Sequence, residues 1–152
     1  IWVGPVVYTI SDKEETGICY LKRPHFLKCF YEDKNQKELI ISKRNLVIYH
    51  KRYNKIYRYP LSKSFFLEIL NRDKFARIIR EGDLNQENNV LEIKYIDQDK
   101  GEIDFYFSNK NYDLIGWRVI DINNNITILK INNQSKNIEI KQKIFFIPEV
   151  NQ

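Results

Sequence analysis

The chain has 152 residues, 43% of them hydrophobic and 14% aromatic, enough for one domain with a core, and no run approaches the roughly 18 apolar residues of a membrane helix. The net charge of +5 comes with acidic residues mixed in throughout and no block of about five or six like charges, so codon bias toward Ile, Asn, Lys, Tyr and Phe explains it better than a polyanion partner. Two cysteines and two histidines, Cys19, Cys29, His25 and His50, fit no zinc spacing, and no phosphate loop or nucleophile elbow occurs, so neither a metal, a cofactor nor enzymatic activity is expected.

In chain order, the start at Ile1 and the lack of Met read as a processed or trimmed product, from which any signal peptide would already be gone. Strand signals then recur about every eight to twelve residues, as in an all-β sandwich or barrel. They predict strands near 6–11, 17–23, 26–32, 37–42, 45–50, 55–59, 75–81, 90–97, 102–108, 115–122, 126–132 and 143–147. Short connections make the sheet an antiparallel meander. Cys19 and Cys29 are equally far from Pro24. A hairpin centred on Pro24 opposes them on the face of Leu21, Leu27 and Tyr31, whereas a loop shifted by one residue puts the thiols on opposite faces. Structural thiols and one disulfide both remain open.

Alternation continues downstream. Tyr57 and Tyr59 oppose Arg58; Leu91, Ile93 and Tyr95 oppose Glu92 and Lys94; Ile103, Phe105 and Phe107 oppose Asp104, Tyr106 and Ser108. Period two puts one set on an apolar face that something must cover. The one good cover is Leu61–Leu70: Pro60 ends the preceding strand, Ser62 is a credible N-cap, Leu61 and Phe66 stand at staple positions, and Phe65, Phe66, Ile69 and Leu70 form a stripe at helical spacing. Trp117 to Ile131 reads as a β-hairpin around an Asp/Asn-rich turn. The basic stretch Lys43–Arg58, with Tyr49, Tyr53, Tyr57 and Tyr59 interleaved, has the composition of a single-strand nucleic-acid platform and equally of a solvated hairpin.

Several of these pieces are similar to one known pattern. Gly17-Ile18-Cys19-Tyr20-Leu21-Lys22-Arg23-Pro24 resembles a G-x-x-x-x-K-R-P segment, and Phe26 to Tyr31 its returning strand. Leu46-Val47-Ile48-Tyr49 resembles L-W-x-Y, and Ile56-Tyr57-Arg58-Tyr59-Pro60-Leu61 resembles V-x-R-Y-P-L. Trp117, Val119 and Asp121, then Thr127 and Asn133, resemble W-x-V-x-D, turn, T-x-x-x-x-x-N; Phe145-Phe146-Ile147-Pro148 resembles the F-x-x-P ending. Together, from about residue 8 onward, they resemble the LolA-type periplasmic lipoprotein carriers. The chain departs from that family at several places. Lys43-Arg44-Asn45 replaces an Asp-Gly turn, with Asn45 expected to turn the chain. Val47 replaces the Trp, His50 the Asp after Tyr49, and Val7-Tyr8-Thr9 matches F-x-Q loosely. The family's N-terminal helix has no counterpart in Ile1–Val7, so it was trimmed or the lid is smaller.

The resemblance implies a mainly β, incomplete antiparallel β-barrel with a short helical lid, a single carrier domain over residues 1–152 and an expected monomer. It implies a periplasmic chaperone that holds lipoprotein acyl chains in a hydrophobic cavity. Such a chaperone takes them from an inner-membrane lipoprotein-releasing transporter to an outer-membrane lipoprotein acceptor, without a cofactor and without nucleic acid. On this reading Tyr57, Tyr59, Phe65, Phe66, Ile69, Ile93, Tyr95, Phe105 and Phe107 line the cavity. Arg23, on the face of Cys19 and Leu21, is implied to close the lid through hydrogen bonds. The family's exposed transporter-contacting aromatic corresponds to Leu27, with the aromatic one earlier at Phe26 and so on the other face. An oxidising periplasm permits a Cys19–Cys29 disulfide. The alternative is a basic, aromatic-rich β-domain that binds single-stranded nucleic acid.

Overall fold

β-branched and aromatic runs broken by short polar turns build the sheet seen in the computed structural model, which describes residues 2–10, 13–131, 135–136 and 140–149. The first half runs β1 (Trp2–Ile10), β2 (Lys13–Lys22), β3 (Phe26–Tyr31), β4 (Lys37–Ser42), β5 (Asn45–His50) and β6 (Lys55–Pro60). Two helices follow, α1 (Phe66–Leu70) and α2 (Arg72–Glu81). The second half runs β7 (Asp83–Glu87), β8 (Val90–Asp97), β9 (Gly101–Ser108), β10 (Leu114–Ile120) and β11 (Ile126–Ile131), with a two-residue β12 (Ser135–Lys136) against the start of β1.

All pairings are antiparallel, and the spatial order is β6-β5-β4-β3-β2-β1-β11-β10-β9-β8-β7. β1 therefore joins two meanders, while among the described residues β6 and β7 remain as unpaired edges and the barrel stays incomplete. Those two edges are consecutive in sequence. The segment between them must cross from one edge to the other, and doing so lays α1 and α2 over the inner face. This is a mainly β, incomplete antiparallel barrel with a short helical lid.

The inner face is built of cross-strand rows. Cys19, Cys29, Leu39 and Ile48 face one another across β2 to β5, and Leu129, Trp117, Phe105 and Ile93 across β11 to β8. Leu61, Phe65, Ile69, Leu70 and Ile78 from the lid segment join both halves in one core. A smaller cluster sits on the outer face, where Phe145 is fully buried with its ring 5.3 Å from that of Phe26. Ile40 and Val47, paired in register on that side, are also fully buried.

Turn chemistry sets the hairpins. The Asp121 carboxylate accepts from the Asn123 and Asn125 amides at 2.9 Å, and Asn124 takes a left-handed φ of 64°. Gly101, at φ 105°, occupies a conformation that favours glycine, and a Cβ there would meet the Ile120 carbonyl oxygen at 2.1 Å. In the β4–β5 turn the left-handed residue is Lys43, not Asn45, which already belongs to β5.

Three expected elements are corrected. Residues 75–81 form most of α2 rather than a strand: the Asn71 side chain caps the helix by accepting from the Lys74 amide at 3.0 Å, and Phe75, Ile78 and Ile79 share one face. The lid is not one helix over 61–70. Leu61–Lys63 is a 3-10 turn, Ser62 caps nothing, and the Ser64 hydroxyl donates to the Leu61 carbonyl at 2.9 Å before α1 begins. The 143–147 strand is a 3-10 turn, Gln142–Phe145, whose work is to plug the outer cluster. The expected strand ends at residues 11 and 132, and the motif position Asn133, lie outside the described residues.

Asp104 is buried on the outer side of β9, 3.6 Å from Arg118, and its Oδ1 has no hydrogen-bond partner among the described residues. Burial pushes its carboxyl above the ordinary range, while Lys94 and Arg118 pull it back. A carboxyl whose folded pKa is raised stabilises the fold below its unfolded pKa and loses that contribution as pH rises through the folded value. Asp104→Asn, which cannot ionise, is therefore expected to gain stability relative to the parent as pH rises from about 3.5 to 7. Urea melts at the two pH values check this; a variant that loses stability relative to the parent as pH rises contradicts it.

Candidate functional site: an apolar cavity under the helical lid

Between the inner face and the lid lies a cavity of about 360 Å³. Its sheet wall is Cys19, Leu21, Leu27, Cys29 and Tyr31 on one side and Phe107, Leu114, Trp117, Leu129 and Ile131 on the other. Phe66, Ile69, Arg72 and Phe75 of the lid cover it. Strand alternation explains the wall: every member stands an even number of residues from its neighbours within β2, β3 and β11, so all project inward. The volume lies at the lower end of the roughly 300–1,000 Å³ of small-molecule pockets. Each methylene buried in such a lining contributes about 0.8 kcal/mol without directional demand.

The lid is held by charge at two points. Arg23, directly after β2, donates its Nε–H to the Ile69 carbonyl at 3.1 Å, and its guanidinium carbon lies 4.7 Å from the centre of the Phe75 ring. One side chain thus ties α1 and α2 to the β2–β3 hairpin, where the Arg23–Pro24 peptide is cis. Burial, then the nearby Arg72 charge, pulls Arg23 below its ordinary pKa. From the opposite half of the sheet, the Lys100 ammonium pairs with Glu68 of α1 in a largely buried contact. Phe66 stands between these anchors with its ring edge-on to Trp117, centroids 6.3 Å apart. Phe66, Ile69 and Trp117 also line a second pocket of about 190 Å³, whose other walls include Lys63, Lys100 and Asp121, so this ring pair borders both spaces.

The expected lining residues separate into three groups. Phe66, Ile69 and Phe107 line the cavity; Phe65 is buried beneath the lid and lines only the smaller pocket. Phe105 is fully buried behind Phe75 and Trp117, so it supports the cavity without lining it, and Ile93 and Tyr95 likewise pack in the core outside it. Tyr57 and Tyr59 are a correction. Pairing with Ile48 and Leu46 puts them on the inner face, but they sit on the edge strand, beyond the cavity, and are 47% and 51% exposed. Phe26 and Leu27 are also corrected as a partner contact: both are buried, Phe26 under Phe145 and Leu27 in the cavity wall, so neither side chain is exposed to a partner.

Cys19 and Cys29 are directly opposed and joined in a disulfide that forms part of the cavity wall. The missed lining falls into two sorts. Leu21, Tyr31, Trp117 and Leu129 were available from alternation, whereas Phe75 was hidden by the strand assigned to its segment. With a sequence separation of ten, the bond removes about 2–3 kcal/mol of unfolded-state entropy in the chain-entropy picture. Reduction is expected to lower stability by that amount, read as a drop in urea midpoint, with the dithiol still folded. Two thiols that alkylate in native, unreduced protein would show that no bond forms.

No curated protein matches the chain. Among solved structures, an uncharacterized conserved protein from Thermus thermophilus superposes with a TM-score of 0.58 at 11% identity, over 97% of this chain and 85% of that one. The MucA/MucB complex of Pseudomonas aeruginosa gives 0.55 at 10% identity, over 99% of this chain and 57% of that one. A DUF1329 family protein from Desulfovibrio piger gives 0.52 at 12% identity, over 95% and 88%. At these identities the likeness concerns the fold. The model of one family, described as outer membrane lipoprotein carrier protein LolA, matches residues 9–148. With that match spanning nearly the whole sequence, over a half-closed sheet whose two free edges are bridged by a lid, the chain belongs to the LolA family.

Proposed function

We propose that this protein is a periplasmic chaperone that takes up the acyl chains of lipoproteins beneath its lid and carries them between membranes. It receives them from an inner-membrane lipoprotein-releasing transporter and yields them to an outer-membrane acceptor. The observation that carries this reading is the apolar cavity under a lid fastened by Arg23 to a backbone carbonyl. That hydrogen bond involves no sequence-specific partner. It can break and re-form as the lid lifts, with the guanidinium donors satisfied by water in the open state. Most of the sheet wall offers hydrocarbon to hydrocarbon, and the charged side chains of the lining are Arg23, Arg72 and Asp113.

Native mass spectrometry of protein isolated from its own periplasm tests the reading. An acylated passenger that is released by detergent supports it; a bound oligonucleotide, or a passenger lacking any acyl group, overturns it.

A further inference from the structure

The positive charge of this protein is gathered in one place. Between Glu38 and Glu68, residues 39–67 hold seven of the 25 cationic side chains and none of the 20 acidic ones; the rest of the chain carries 18 cations against 20 acids. The pairing register shows where they lie. Lys43 and Arg44 sit in the β4–β5 turn, at the same end as Pro60 and Lys63, because Ser42 pairs with Asn45 and Asn45 with Pro60. Lys51 and Arg52 lie at the other end, where His50 pairs with Lys55. Arg58 is midway. The cations thus run the length of β6, about 20 Å at the usual rise per residue. All seven are exposed, and none is in an ion pair among the described residues.

β6 is also a free sheet edge. Nothing pairs with its outer side, and no backbone hydrogen bond satisfies its outward amides and carbonyls among the described residues. Tyr57 and Tyr59 stand exposed on it, with Tyr53 56% exposed at its start. Lysine and proline on an edge discourage pairing with a second copy, since like charges would meet. The same charges favour an acidic strand. A flat anionic surface would engage a face of the sheet, whereas these charges flank one row of unpaired backbone groups.

We propose that β6 is a docking edge for an extended, acidic polypeptide segment of a partner protein, which adds a strand beside Lys55–Tyr59. Backbone hydrogen bonds set the register, Lys55 and Arg58 pair with carboxylates on the two faces of the added strand, and the tyrosines cover its apolar side chains. The proposal is independent of what fills the cavity.

The test uses the full chain and a labelled peptide of about eight residues in which Glu-Glu-Val-Val is repeated, so that an extended strand carries carboxylates and apolar side chains on both faces. Its controls are the same peptide with alternate backbone nitrogens methylated, and an oligothymidylate of similar charge. The parent peptide is expected to bind and to slow hydrogen exchange at the β6 amides. Methylation should weaken binding at least about ten-fold at unchanged charge, as should Lys55→Glu with Arg58→Glu in a protein whose melting curve is unaltered. Equal binding of the methylated peptide would mean charge attraction without strand addition and overturn the proposal. Absence of peptide binding, tighter binding of the oligothymidylate, or insensitivity to the double charge reversal would overturn it too.

Discussion

Arg23→Leu is expected to leave the sheet folded and to slow transfer of a bound lipoprotein to an acceptor by at least about ten-fold. The leucine loses the donor to the Ile69 carbonyl and the cation over Phe75. A hydrogen bond from a charged group contributes about 1.5–3 kcal/mol and a cation–π contact about 0.5–2. Relief of the buried charge returns part of that, so the closed state loses on the order of 1.5–3 kcal/mol, or about ten- to a hundred-fold in its population. Re-forming the Arg23 bond competes with cargo for the closed lid. Without it, lid closure no longer offsets the burial of acyl chains, and the carrier holds what it has taken up. The measurement is lipoprotein transfer from purified complex, beside a melting curve. Transfer at the parental rate would refute the lid role of Arg23.

Phe66→Asp is expected to cost at least about ten-fold in affinity for a fluorescent fatty-acyl probe while lowering stability by only about 1–3 kcal/mol. Phe66 is half-buried, lines both the cavity and the smaller pocket and packs edge-on against Trp117. An aromatic pair of this kind is worth about 0.5–1.5 kcal/mol, and the exposed side of α1 gives the carboxylate a route to water. The cavity has no such alternative: a carboxylate at its partition either draws water in or lifts the lid, and both remove hydrocarbon contact from the probe. Comparing probe titration with the melting curve separates the two costs. Unchanged affinity would show that an acyl chain binds away from α1.

The fate of individual residues shows which questions the linear chain could answer. Alternation was enough to put Cys19, Leu21, Arg23, Leu27 and Cys29 on one face, because side-chain direction in a strand has a period of two and depends on nothing distant. Symmetry about Pro24 offered opposed cysteines as one of two registers, and the folded β2–β3 hairpin decided for it. Alternation also put Tyr57 and Tyr59 on the correct face, yet it could not place β6 at the end of the sheet, where no further strand covers them. Likewise, period-two and helical readings compete over a short apolar run, and Phe75 to Glu81 became a helix only because the chain must cross between the two edges and Asn71 caps it there. What the amino-acid sequence determined by itself was the type of most elements, their inward faces and the motif pattern that marks the family. Tertiary structure alone decided which strand is an edge, where the cavity is hollow rather than filled, and which carbonyl Arg23 reaches. Those depend on contacts between residues far apart in the chain, such as Arg23 with Ile69, whose geometry no local period encodes.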